Sequence, residues 1–228
     1  AKTVGSRLGK TILELGGNNA IIISEEADIE MAIRATVFGA VGTCGQRCTS
    51  TRRLIIHENV YEQVKDRLVE IYKKVPIGDP LDDDTLVGPM IDQYAVDGMQ
   101  QSLKKINEEG GKVIFGGEIL DREGFYVQPA IAEVKQDFNI VQKETFAPLL
   151  YLMNYSNLDE AIRSAYTSYV STGLRDLLAR SPEMYREYPF QLRIGQAHIS
   201  GVIDMLFLDP RDQTWTILDY KSNEIEES

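Results

Sequence analysis

Over residues 11–134 short apolar runs alternate with stretches of helical period, and that alternation restricts the chain to a sheet whose strands are joined through helices. Residues 11–15, 20–24, 52–57, 112–115 and 125–134 read as strands, the last interrupted by Pro129. Ser24-Glu25-Glu26-Ala27-Asp28 offers capping oxygens to a helix that carries Ile29, Ala32, Ile33, Val37, Ala40 and Val41 at helical spacing. Residues 58–75 predict a second helix with Val60, Val64, Leu68, Ile71, Tyr72 and Val75 on one face, ended by Pro76-Ile77-Gly78-Asp79-Pro80. Residues 92–109 predict a third. The expected class is α/β.

Between the first helix and the strand at 52–57 lies Gly42-Thr43-Cys44-Gly45-Gln46-Arg47-Cys48-Thr49-Ser50-Thr51-Arg52-Arg53. A glycine-flanked turn lets a backbone approach a ligand closely and lets a thiolate face a cleft, which makes Cys48 a candidate nucleophile. Its candidate partner is Glu14, at the end of an apolar run and followed by Gly16-Gly17-Asn18-Asn19. A carboxylate desolvated beside two glycines gains the basicity a general base needs.

Three motifs in order carry a family resemblance: Glu14-Leu15-Gly16-Gly17-Asn18, Gly45-Gln46-Arg47-Cys48-Thr49 and Lys143-Glu144-Thr145-Phe146-Ala147-Pro148. Residues 1–162 resemble the catalytic domain of the aldehyde dehydrogenase superfamily, and the wording of the first two motifs is most similar to its antiquitin-type branch, the α-aminoadipic semialdehyde dehydrogenases. The resemblance implies NAD-dependent oxidation of an aldehyde, here a semialdehyde, through a thiohemiacetal and a thioester on Cys48, with Glu14 activating water. It also implies that Glu144 holds the nicotinamide ribose, that Phe146 packs near the ring, that Gly16 lies in the cofactor site, and that the protein is a homo-oligomer. The opening Ala1-Lys2-Thr3-Val4-Gly5 resembles the tail of the family's phosphate-side turn, so most of the NAD-binding domain is expected to be missing.

Composition narrows the setting. The 228 residues are 43% apolar, enough for a sizeable core, and carry a net charge of −11, which opposes broad binding to nucleic acid or anionic membranes. No apolar run is long enough to span a bilayer, no signal pattern opens the chain, and two cysteines four apart suit a reducing compartment, so the expected location is cytoplasmic. Cys44 and Cys48 without further ligands make a poor zinc signature, and Asp82-Asp83-Asp84 reads as a solvated turn.

From Arg163 the sequence changes character. Residues 164–180 predict a helix, and residues 185–194, 197–208 and 214–220 predict three strands joined by short turns, a small α+β segment with an antiparallel β-meander. Asp204 on the second strand and Asp219 on the third can converge on one divalent ion such as Mg2+, with Lys221 on the same face as Asp219 and Glu187 on the first strand. Residues 163–228 thereby resemble a fragment of the PD-(D/E)xK nuclease core of the RecB type. That alternative implies DNA as a partner, although the segment carries seven Lys/Arg against ten Asp/Glu. A third expectation is a catalytically silent chimera of the two fragments.

Overall fold

The computed structural model describes Arg7, residues 17–158, Ala161, and residues 180–194, 197–208 and 215–218. The chain divides into two compact units, Ala1–Tyr166 and Thr167–Ser228.

The first unit is built on a five-stranded sheet: β1 (Asn19–Ile23), β2 (Thr51–His57), β3 (Lys112–Phe115), β4 (Ala130–Glu133) and β5 (Leu149–Tyr155). The spatial order is β1-β2-β5-β4-β3, with the first four parallel and β3 antiparallel on the edge. Helices α1 (Ile29–Val41), α2 (Tyr61–Tyr72) and α3 (Gln93–Glu108) accompany it. The expected α/β class with helices over a sheet is the architecture found.

Each helix follows from its sequence. Asp28 caps α1 by accepting from the Met31 N–H at 3.0 Å, and Asp92 caps α3 by accepting from the Ala95 N–H at 2.8 Å. Val64, Leu68 and Tyr72 on α2, and Val96, Met99, Leu103 and Ile106 on α3, are buried at helical spacing. Asp92→Ala is expected to destabilise the unit by about 1 kcal/mol, read as a lower urea midpoint with an unchanged slope.

Two expected elements differ. The strand expected over 125–134 begins only at Ala130, because Pro129 has no N–H to donate to a ladder. The helix expected from Glu58 opens as a 3-10 turn, Glu58–Val60, before α2 begins at Tyr61. The strand at 11–15 falls outside the described residues, as does the 164–180 helix except for Arg180.

One strand is missing from the sequence reading. β5 is the middle strand of the sheet, paired on one side with β2 (Leu54 opposite Leu152) and on the other with β4 (Ile131 opposite Leu150). A parallel strand covered on both faces is apolar at nearly every position and shows no alternation; Leu149 to Met153 are all buried.

The second unit holds a three-stranded antiparallel sheet, β6 (Met184–Ile194), β7 (Ala197–Leu208) and β8 (Trp215–Leu218), in that order. Among the described residues no helix is long and apolar enough to cross a membrane.

Candidate active site

Between α1 and β2 the chain makes a tight 3-10 turn, Gly42–Gly45, in which Thr43, Cys44 and Gly45 all have left-handed backbones, φ 52°, 51° and 63°. Only glycine adopts that region without cost, so two strained residues in a row mark a shape the surroundings enforce. After it, Arg47 to Ser50 form a turn closed by the Ser50 N–H to the Arg47 carbonyl at 3.1 Å, with Cys48 near its tip. Cys48 is exposed and Cys44 buried. Burial pushes the Cys44 thiol up to about 12, which keeps it protonated and inert at neutral pH.

Two groups hold this turn from outside. The Asn19 side-chain amide donates to the Cys48 carbonyl at 2.7 Å and to the Ser50 carbonyl at 3.1 Å. Arg52, fully buried at the start of β2, donates through Nη1 to the Ser50 carbonyl at 2.9 Å and through Nη2 to the Arg47 carbonyl at 3.0 Å and the Gly45 carbonyl at 3.5 Å. Its Nε donates to the Thr145 carbonyl at 3.1 Å, its Nη2 lies 3.0 Å from Glu144 Oε1, and its head sits 5.2 Å from the centre of the Phe146 ring. Burial pulls the Arg52 guanidinium down from its ordinary value, while the Glu144 carboxylate beside it acts the other way.

The second and third motifs therefore meet. Their backbones touch at Gly45, where a Cβ would lie 2.3 Å from the Ala147 carbonyl oxygen. The close approach expected of this glycine is thus made to the third motif rather than to a ligand. Behind the third motif a chain of buried hydroxyls, Ser102 to Thr145 at 3.1 Å and Thr145 to Tyr151 at 3.2 Å, ties it to α3 and β5.

Of the expected site residues, the structure brings Cys48, Glu144 and Phe146 into one place. Glu14 and Gly16 lie outside the described residues, although Asn18 and Asn19, at the end of the first motif, reach Val141 and the Cys48 turn. Asn19 and Arg52 are the residues the sequence reading passed over. Their signal was present: an amide doublet after Gly-Gly, and an arginine pair opening an otherwise apolar strand.

Glu187 falls on β6 and Asp204 on β7, flanked by the paired positions Arg186–Met205 and Tyr188–Ile203, while Asp219 and Lys221 lie outside the described residues. Among the described residues no group of three or more His, Cys, Asp or Glu is placed to hold a metal ion.

A family model described as the aldehyde dehydrogenase family matches residues 1–202. The chain belongs to this family. The match runs past Ile162 and through β6 into β7, covering Glu187 of the nuclease-like pattern, and none of the relatives below is a nuclease. Aldehyde dehydrogenase family 7 member A1 of Pisum sativum is 48% identical over 173 residues, 76% of this chain and 34% of that protein. The α-aminoadipic semialdehyde dehydrogenase of Rattus norvegicus is 43% identical over 175 residues, 76% of this chain and 32% of that protein. Betaine aldehyde dehydrogenase of Staphylococcus aureus, solved in complex with NAD+, superposes with a TM-score of 0.69 at 27% identity, covering 72% of this chain and 34% of that one. The chain spans about a third of the length of the relatives it matches.

Proposed function

We propose that this chain supplies the reacting thiol and the cofactor-facing motif of an NAD-dependent aldehyde dehydrogenase, which oxidises an aldehyde to a carboxylic acid. The observation that carries the reading is the joint just described: an exposed Cys48 held by Arg52 and Gly45 against Glu144-Thr145-Phe146.

The residues present fit the nicotinamide–ribose end of NAD. Glu144 Oε1 is buried and accepts no hydrogen bond, since its 3.0 Å contact with Arg52 is an ion pair without an aligned N–H. It keeps acceptor capacity for a ribose hydroxyl. Phe146 leaves an aromatic ring 45% exposed beside it. Gly16 is assigned to the same site on its place in the first motif.

The Cys48 thiolate adds to the aldehyde carbon and the carbonyl oxygen takes up the charge, giving a thiohemiacetal. NAD, when bound, accepts the hydride that this adduct releases. Cys48 then carries the acyl group as a thioester. Glu14 removes a proton from the water that attacks the thioester, which frees the acid and returns the thiolate. The substrate class we favour is a semialdehyde, supported by the antiquitin-like wording of the first two motifs and by the rat relative. The two free cysteines accord with a reducing, cytoplasmic setting.

Hydrolysis of an activated aryl ester tests nucleophile and base without cofactor. Cys48→Ala is expected to fall to the buffer rate, and Glu14→Gln to keep the initial burst of phenol while losing steady turnover. Equal rates in Cys48→Ala and the parent chain would sink the proposal.

A further inference from the structure

Arginine presents five N–H donors in a fixed fork and stays charged when buried. In Arg52 that fork is divided between two loops. Three of its contacts are the carbonyls of Gly45, Arg47 and Ser50, which bracket Cys48; the others are the Thr145 carbonyl and the Glu144 carboxylate. Loss of the guanidinium would take a donor from the Arg47 and Ser50 carbonyls on one side and from the Thr145 carbonyl on the other.

We propose that Arg52 is a positioning residue: it holds the Cys48 turn in its reacting shape and ties that shape, through one shared cation, to the Glu144–Phe146 motif. This deepens the reading of Cys48 as nucleophile and rests on it.

The arrangement of neighbours separates this role from packing. The charged and titratable groups that act on the Arg52 head are Glu144, Cys48 and Tyr151. The Tyr151 hydroxyl is engaged with Thr145 at 3.2 Å and burial pushes it up to about 12, so at neutral pH it brings no charge. Arg47, adjacent to Cys48, turns elsewhere: it donates to the Phe38 carbonyl at 3.1 Å and lies 5.1 Å from the centre of the Phe38 ring. The charge partner in contact with Arg52 is therefore the Glu144 carboxylate, and its remaining donors go to backbone carbonyls. The Glu144 side chain is 23% exposed, so this end of the tie is reachable from solvent.

Alkylation of Cys48 by iodoacetamide on the high-pH plateau of its rate, followed by mass spectrometry of the Cys48 peptide with Cys48→Ala as blank and the urea midpoint of each variant beside it, reads the shape of the turn. Arg52→Gln is expected to lower the plateau roughly tenfold. Arg52→Lys keeps the charge without the fork, so it leaves the plateau low. Arg47→Gln removes a cation that turns to Phe38 instead and keeps the plateau within about twofold of the parent chain. A plateau in Arg52→Gln equal to the parent's, or a loss as large in Arg47→Gln, overturns the proposal. If Arg52→Gln does not fold, Arg52→Lys decides: a lowered plateau at an unchanged urea midpoint supports the assignment and a plateau equal to the parent's overturns it. Because alkylation needs neither aldehyde nor NAD, a Cys48 that alkylates as expected yet hydrolyses no ester removes the dehydrogenase reading and leaves the Arg52 assignment standing.

Discussion

Gly45→Ala is expected to cost the first unit about 4 kcal/mol and to abolish the reactivity of Cys48. Two effects add. The position has φ 63°, which costs an alanine on the order of 1 kcal/mol, and the new methyl would lie 2.3, 2.5 and 2.6 Å from the oxygen and carbon of the Ala147 carbonyl and from the Pro148 nitrogen. Those atoms are backbone, and no rotamer change relieves the overlap. The turn bearing Cys48 and the segment after Phe146 must separate, which pulls the Arg52 fork out of register with the carbonyls it holds. Gly110→Ala isolates the first effect, since its φ is 89° but a Cβ there meets nothing within 4 Å; it is expected to cost about 1 kcal/mol and to leave Cys48 untouched. Urea denaturation and iodoacetamide labelling of both variants check this, and similar losses in the two would show that the contact with Ala147 is unimportant.

The second large effect is alkaline unfolding. The buried Cys44 thiol rises from 9.0 to about 12, so between those values the unfolded chain gives up a proton that the folded chain keeps. A group raised on folding leaves stability at its full value below its unfolded value and draws it down as pH climbs towards the folded one. For Cys44 the loss reaches about 4 kcal/mol. Burial raises Tyr72 and Tyr151 as well, in the same direction. Against a total of roughly 5–15 kcal/mol for a domain, the first unit is expected to unfold well before pH 12. Urea midpoints at pH 8 and pH 10.5 should fall steeply in the parent chain and less steeply in Cys44→Ala. Equal slopes would show that Cys44 does not titrate on unfolding.

The parts of the fold legible in the sequence were those with a period. Helices α1, α2 and α3 announced themselves by apolar residues every three or four positions and by Asp28 and Asp92 at their starts. β5 hid because a strand buried on both faces has no polar side to mark its period, and the third motif that precedes it drew attention to chemistry instead of pairing. In the site, Cys48 and Glu144 were found because their motifs are distinctive. Arg52 was passed over because its role is set by the Thr145 carbonyl and the Glu144 carboxylate, contacts that exist only once distant segments are folded together. The same reason explains Gly45, whose tight contact is with Ala147.

The adjacency of β2 and β5 has a kinetic consequence. Arg53 lies opposite Tyr151, so the pairing closes more than half of the first unit into one loop, and parallel contacts of such span form late. Cys48 precedes one of these strands and Phe146 the other. A nascent or partly folded chain, even one with all three helices formed, therefore carries its thiol without the surroundings that make it reactive. The first appearance of fast Cys48 alkylation during refolding is therefore expected to coincide with the pairing of β2 and β5.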